Sequence, residues 1–232
     1  MKKQKHPIAI IIGIILGGAL IQIVINEFKA KPKEIKLSEL NSPYEKQKKS
    51  INDLVEENQL KEKDCFFNTG LNEKSIGVEL IAYFPCQLIN NSQAMLNSKT
   101  ILCQYANKEK DKTFAFTVDL KKLEKDLTPA ELLNSTSSEE LKENIEKNGE
   151  YISSKRVEVA GAKGVQMITK KLIDNWTVYT YETILYQRKN LITISYIIAG
   201  SSEKTATTYF NSQKPTIERL LKKIRFSTPI IN

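Results

Sequence analysis

The chain has 232 residues, with Lys and Arg totalling 35 against 27 Asp and Glu, a formal net charge of +8, one histidine and three cysteines. The basic excess is dispersed: KEKDK at 108–112 and KKLEKD at 121–126 interleave the two signs, which reads as solvated surface and excludes the one-sided basic stripe of a nucleic-acid binder. The only histidine is His6, ahead of an apolar run, so the rest of the chain cannot hold a Ser-His-Asp triad, a Cys-His pair or a histidine metal site.

From 8 to 25 the sequence reads IAIIIGIILGGALIQIVI, with Gln22 its only polar side chain. A helix rises about 1.5 Å per residue and a bilayer core about 30 Å thick needs roughly 20 apolar residues. With its edges at Pro7 and Phe28, the run predicts one transmembrane anchor over 7–28. A cleaved signal peptide is the alternative, but its apolar core is usually only ~7–15 residues long. A cut after the Gly17-Gly18-Ala19 stretch would also leave Leu20, Ile21 and Ile23 exposed. Lys2, Lys3 and Lys5 precede the run, which favours a cytoplasmic tail at 1–6 and a body on the extracytoplasmic side of the cell membrane. Residues 29–64 read as a charged linker. Ile51, Leu54 and Val55 mark a weakly amphipathic juxtamembrane helix within it.

A single domain is expected over 65–232. Strand signals come first, at 76–84 (IGVELIAYF), 99–106 (KTILCQYA) and 112–120 (KTFAFTVDL). The polar turn at 107–111 makes the last two a hairpin. A helix follows over 128–148, broken near 134–137: Thr128 caps it, Pro129 takes its first position, and Ser137-Ser138-Glu139-Glu140 repeats the capping pattern before Asn148-Gly149 stops it. Strands at 151–160 and 165–173 flank the turn GAKG, and 176–200 folds about Arg188 and Lys189. That hairpin sets Leu185 opposite Ile192, Thr183 opposite Ile194, Tyr181 opposite Tyr196 and Tyr179 opposite Ile198 on one face, with Glu182 and Ser195 on the other. A one-residue slip would exchange the two sets. A last helix is expected to open at Pro215, with Ile217, Leu220, Leu221 and Ile224 on one side. The order β-β-β-α-β-β-β-β-α-β predicts an α+β domain, an antiparallel sheet with helices packed on it.

This order, together with the strand ending in Phe84-Pro85, the hairpin at 99–120, the TPAEL helix start, the meander from GAKG to TISY and the terminal KIRFS, resembles the Mog1/PsbP-like fold family, which includes bacterial PsbP-like domains of unknown function. The resemblance covers about 76–228. It implies a partner-binding or assembly module rather than an enzyme. The chain lacks a Trp after Phe84-Pro85, its only Trp being Trp176. No motif for a photosystem or a small GTPase accompanies the resemblance.

Candidate chemistry is sparse. Ser201-Ser202-Glu203-Lys204 matches a serine–lysine dyad by letters, without the accompanying S-D-N or K-T-G segments. Three cysteines without a C-x-x-C spacing do not make a zinc site. Neither a cofactor nor a metal is expected. Tyr179, Tyr181 and Tyr196 read as core before they read as a ligand cleft. If the strands at 76–84 and 99–106 pair around the loop at 90–98, Cys86 and Cys103 fall opposite each other. A disulfide between them is then expected in an oxidising compartment, leaving Cys65 as the odd thiol or a rival partner.

The function expected is that of a membrane-anchored, extracytoplasmic, non-catalytic binding or assembly domain that engages a protein partner or a small apolar ligand. An enzyme using the serine–lysine dyad or a lone thiol, and a structural spacer in a membrane complex, are the alternatives.

Overall fold

The computed structural model describes residues 64–71, 78–91, 98, 100–127, 131, 138–159, 161–187 and 189–226. In chain order these form β1 (Asp64–Asn68), a 3-10 turn (Thr69–Leu71), β2 (Leu80–Pro85), β3 (Ile89–Asn90), β4 (Ile101–Lys108), β5 (Lys112–Lys122), α1 (Ser138–Ile145), β6 (Glu150–Val159), β7 (Ala162–Ile173), β8 (Trp176–Gln187), β9 (Asn190–Gly200), α2 (Glu203–Leu221) and β10 (Arg225–Phe226). The expected anchor at 7–28, the cytoplasmic tail at 1–6, the juxtamembrane helix and most of the first helical stretch at 128–137 lie outside the described residues. Among the described residues no helix is long and apolar enough to cross a membrane.

The strands form two antiparallel sheets, one of seven strands in the order β3-β4-β5-β9-β8-β7-β6 and one of three in the order β1-β2-β10. The α+β architecture is as expected, and so is the β8–β9 register: Leu185 faces Ile192, Thr183 faces Ile194, Tyr181 faces Tyr196, Tyr179 faces Ile198, and Glu182 faces Ser195. The β4–β5 hairpin also forms. The β7–β8 turn places Asp174 and Asn175 at φ 48° and 70°, the left-handed pair that lets a two-residue loop follow the natural twist of its strands.

One face of the large sheet carries Phe114, Phe116, Tyr181, Leu185, Ile192, Ile194 and Tyr196, packed in a common core with Leu80, Ala82 and Phe84 of β2 and with Phe210, Ile217 and Leu220 of α2. Phe84 stacks on Tyr105 and Phe116 at 4.2 and 5.0 Å, and Phe210 stacks on Tyr179 at 4.5 Å. The small sheet and α2 thus cover this helix face together, side by side. On the far face, α1 sets Leu141 and Ile145 against Val165, Met167, Ile184 and Leu191.

Three expectations need correction. The strands at 76–84 and 99–106 are not neighbours. β2 pairs with β1 and β10 in the small sheet, whereas β4 pairs with β3 and β5 in the large one. The chain between them changes sheets, and β1 and β3 are short strands that add to the expected order. The Cys86–Cys103 bridge fails for the same reason. Cys86 is joined to Cys65, with Cα atoms 4.8 Å apart, because β1 runs antiparallel to β2 with Cys65 opposite Phe84 and Asp64 opposite Pro85. Cys103 sits in β4 opposite Val118 as a free, buried thiol. Finally, α2 opens at Glu203, and Pro215 lies inside it. Ser202 is its N-cap, accepting a hydrogen bond from the Thr205 amide at 3.2 Å, and Ala206 and Phe210 carry its buried face upstream of the proline.

Candidate functional site

The helix face is incompletely filled at one end. Between α2 and the outer strands β6, β7 and β8 lies an open groove of about 580 Å³. Val157 and Val159 of β6 on one side, and Leu221 of α2 and Ile224 beyond it on the other, give its walls apolar patches, set among the charged Lys155, Glu158, Glu218 and Lys222. Alternation builds the first wall, since Lys155, Val157 and Val159 are two residues apart on one strand face. Helical spacing builds the second, since Glu218, Leu221 and Lys222 share one side of the last turn.

The floor is polar and buried. Gln166 Nε2 donates to Thr183 Oγ1 at 3.0 Å, and the Tyr181 hydroxyl donates to Gln166 Oε1 at 3.5 Å. Burial pushes the pKa of the Tyr181 phenol up, and the Glu218 carboxylate on α2 pushes it in the same direction, so the phenol stays a neutral donor. Lys155, Glu218 and Lys222 line the groove as well, all exposed. The arrangement offers apolar contact, a satisfied polar floor with spare donor and acceptor capacity, and charge of both signs at the mouth.

The far face carries a second polar feature. Across β4, β5, β9 and β8 run Gln104, Thr117, Ser195 and Glu182, each directly opposite the next, and all are buried. The Ser195 hydroxyl donates to Glu182 Oε1 at 3.2 Å. Among the described residues, Glu182 Oε2, both Gln104 side-chain polar atoms and the Thr117 hydroxyl find no hydrogen-bond partner. Burial pushes the Glu182 carboxyl up to about 7, against the opposing pull of the Ser195 hydrogen bond and the Lys171 charge. Burial likewise raises Asp119 and lowers Lys171.

The sequence-derived candidates are scattered. Cys86 is in the bridge to Cys65, and Cys103 is buried, its thiol pushed up by burial. Ser202, from the serine–lysine pattern, caps α2, and Ser201 donates its amide to the Asp111 carbonyl at 2.9 Å. Tyr179, Tyr181 and Tyr196 are buried as expected of core, and Tyr181 also lies at the groove. Sequence pattern places Thr183 on the tyrosine face but marks neither it nor Gln166 as part of a site. Their signal is a polar residue interrupting an otherwise apolar strand face, with Thr183 between Tyr181 and Leu185. Among the described residues no cluster of three or more His, Cys, Asp or Glu could hold a metal ion.

No protein-family model matches the chain, and no curated protein matches its sequence. Solved structures similar to it include a Pseudomonas aeruginosa protein of unknown function, at 9% identity over 70% of this chain and 96% of that one, with a TM-score of 0.41. The Saccharomyces cerevisiae Ran-binding protein Mog1p matches at 14% identity over 63% of this chain and 89% of that one, with a TM-score of 0.39. LpqN of Mycobacterium tuberculosis, involved in cell envelope biogenesis, matches at 9% identity over 71% of this chain and 91% of that one, with a TM-score of 0.42. Mog1p, of the family that the order of elements resembles, is thus among the structures similar to this chain. At these identities and TM-scores no site, partner or activity passes from them to this chain.

Proposed function

We propose that this protein is a membrane-anchored, extracytoplasmic domain that binds without catalysis, holding a small, largely apolar ligand or the apolar side chains of a partner protein in the groove between α2 and β6–β8. The observation that carries this reading is the groove itself. Its volume of about 580 Å³ falls within the ~300–1,000 Å³ usual for ligand sites, and Val157, Val159, Leu221 and Ile224 offer apolar contact beside the fixed polar groups of its floor. The apolar run at 8–25 supports the anchor. The Cys65–Cys86 bridge supports placement of the domain in an oxidising compartment.

The test uses the full-length protein in its native membrane. A photo-activatable side chain at Leu221 captures the occupant on irradiation, and the same group at exposed Leu172, on β7 outside the groove lining, serves as the control. Thr183→Trp fills the floor and abolishes capture while the far-ultraviolet circular dichroism is retained. Equal capture from both positions, or capture undisturbed by the tryptophan, overturns the groove as the binding site.

A further inference from the structure

The small sheet has two faces of different character. Cys65, Phe67, Leu80, Ala82, Phe84 and Phe226 lie on the inner one and pack into the common core. On the outer one, Phe66 of β1 is directly opposite Tyr83 of β2, and Ile81 of β2 is opposite Arg225 of β10. The Phe66 and Tyr83 rings stand 6.2 Å apart, and Phe66 is 43% exposed. Of the large apolar side chains exposed among the described residues, it alone is aromatic. The end of α2 and the turn after it bring cations to this face. Lys223 Nζ lies 5.5 Å from the centre of the Tyr83 ring and, with Arg219, reaches Asp64 at the start of β1. The Asp64 side chain is only 9% exposed, against 40% for Arg219 and 44% for Lys223, so the carboxylate is recessed beneath its cations. The guanidinium and the ammonium carry more donors than Asp64 takes up, and Arg225 is exposed as well. Glu79, the other carboxylate of this strand face, lies at its far end beside Gly70.

We propose that the outer face of the small sheet rests on the bilayer surface, with Phe66 and Tyr83 at the level of the headgroups and Arg219, Lys223 and Arg225 on the phosphates of anionic lipids. This rests on the membrane anchor proposed above. Three features favour a lipid surface over a protein. A tyrosine beside a phenylalanine offers an apolar body with a polar tip, the chemistry of the membrane interface. Exposed lysine and arginine at its rim suit a negatively charged surface. The patch is also small, and its few side chains fall well short of the roughly 20–30 residues a side that a stable protein interface engages. A chain held at the bilayer needs no such area, because tethering raises the effective concentration and lets a weak contact persist. β1 is the first described strand after the apolar run at 8–25, so the small sheet is the part of the domain that the tether enters.

The experiment places the full-length chain in lipid nanodiscs of phosphatidylcholine, alone or mixed with phosphatidylglycerol. Phe66→Trp, combined with Trp176→Phe so that one indole remains, reports contact with lipid through quenching by brominated acyl chains. Quenching is expected in the anionic discs and is weaker in the neutral ones. Arg225→Glu lowers the docked-to-free ratio about fivefold or more. If the tryptophan variant does not fold, hydroxyl-radical footprinting of the unaltered chain decides: Phe66 and Tyr83 are protected in anionic discs relative to neutral ones, and exposed Leu172 is not. Alkaline carbonate extraction reads the anchor separately. A chain that carbonate releases from membranes lacks the tether, and the docking falls with it. A chain that resists extraction yet gives equal quenching, or equal footprints at Phe66, in the two discs keeps its anchor and loses the docking. An indole at position 66 shielded from acrylamide but untouched by brominated lipid means that a protein covers this face, which also overturns the proposal.

Discussion

Glu182 on β8 and Ser195 on β9 stand directly opposite each other in the middle of the far face, with the Ser195 hydroxyl donating to Glu182 Oε1 at 3.2 Å and both side chains buried. The second carboxylate oxygen finds no hydrogen-bond partner among the described residues. A buried carboxylate that lacks full hydrogen bonding is disfavoured in its charged form, and burial accordingly raises the Glu182 carboxyl from 4.5 to about 7. The folded state therefore binds a proton that the unfolded state releases between those values. Stability from this group is fully present below pH 4.5 and is lost as the pH rises through 7. The loss approaches about 3 kcal/mol at alkaline pH. Glu182→Gln keeps an acceptor for Ser195 and removes the titration. Its stability from urea denaturation is expected to be flatter than that of the parent between pH 5 and 8, and higher at pH 8. Parallel pH profiles for the two proteins would refute this account.

Asp64 presents the opposite sign. It joins β1 to α2 by accepting hydrogen bonds from the Arg219 guanidinium, including one from Nη2 at 2.7 Å, and another from Lys223 Nζ at 2.7 Å. The Arg219 hydrogen bond is the largest cause that holds its carboxyl down at about 2, against 3.8 ordinarily. This stabilisation is present above pH 4 and is lost as the pH falls toward 2. The shift alone would correspond to about 2 kcal/mol, but Arg219 and Lys223 are 40% and 44% exposed, and solvent screening reduces the expected contribution to ~1 kcal/mol. Asp64→Asn should therefore lower the melting temperature modestly at neutral pH and make no difference at pH 2. A variant as stable as the parent at pH 7 would show the ion pairs to be neutral.

Gly164 on β7 is opposite Leu185 on β8 and Val157 on β6. A Cβ placed there would lie 1.9 Å from the Ile184 carbonyl oxygen and 2.9 Å from its carbon. Both are backbone atoms of the neighbouring strand and cannot swing aside as a side chain would. Gly164→Ala should force β7 and β8 apart next to the groove, costing ~3 kcal/mol or more. The measurement is a denaturant midpoint against Gly161→Asn. Gly161 has φ 83° in the β6–β7 turn, where asparagine is the better-tolerated replacement. Equal effects at the two glycines would contradict the close approach at 164.

Local pattern was legible in this sequence and long-range pairing was not. The β8–β9 hairpin could be registered because one face is lined by Tyr179, Tyr181, Leu185, Ile192 and Ile194, so any slip would carry a cost at every position. β2 offers no such constraint. Its true neighbours, Asp64–Asn68 and Arg225–Phe226, lie at opposite ends of the domain sequence, and nothing in the sequence of β2 indicates which strand it meets. The early start of α2 was hidden because TATTYFNSQ carries few apolar residues, Ala206 and Phe210 sufficing for its buried face. Glu182 and Ser195 share the face opposite the tyrosines as expected, yet that face is buried as well. Alternation of polar and apolar residues fixes which side a residue faces and does not reveal whether that side meets water.

The cysteines give the sharpest check on the topology. The Cys65–Cys86 bridge fastens β1 to β2, closing a segment with a sequence separation of 21, for which chain entropy predicts about 3 kcal/mol of stabilisation. Cys103 is enclosed between the sheets at 2% exposure and is expected to react slowly even though it is unbridged. Without reductant, the native protein should therefore take up a thiol-specific label at none of its three cysteines. The unfolded protein should take it up at Cys103 alone, and the reduced, unfolded protein at all three. Replacing Cys65 and Cys86 together by serine should lower the unfolding free energy by ~3 kcal/mol, whereas Cys103→Ala should cost only the ~1 kcal/mol of a small buried side chain. Labelling of Cys65 in the unfolded, unreduced protein with Cys103 protected would restore a Cys86–Cys103 link and require β2 and β4 to be neighbours.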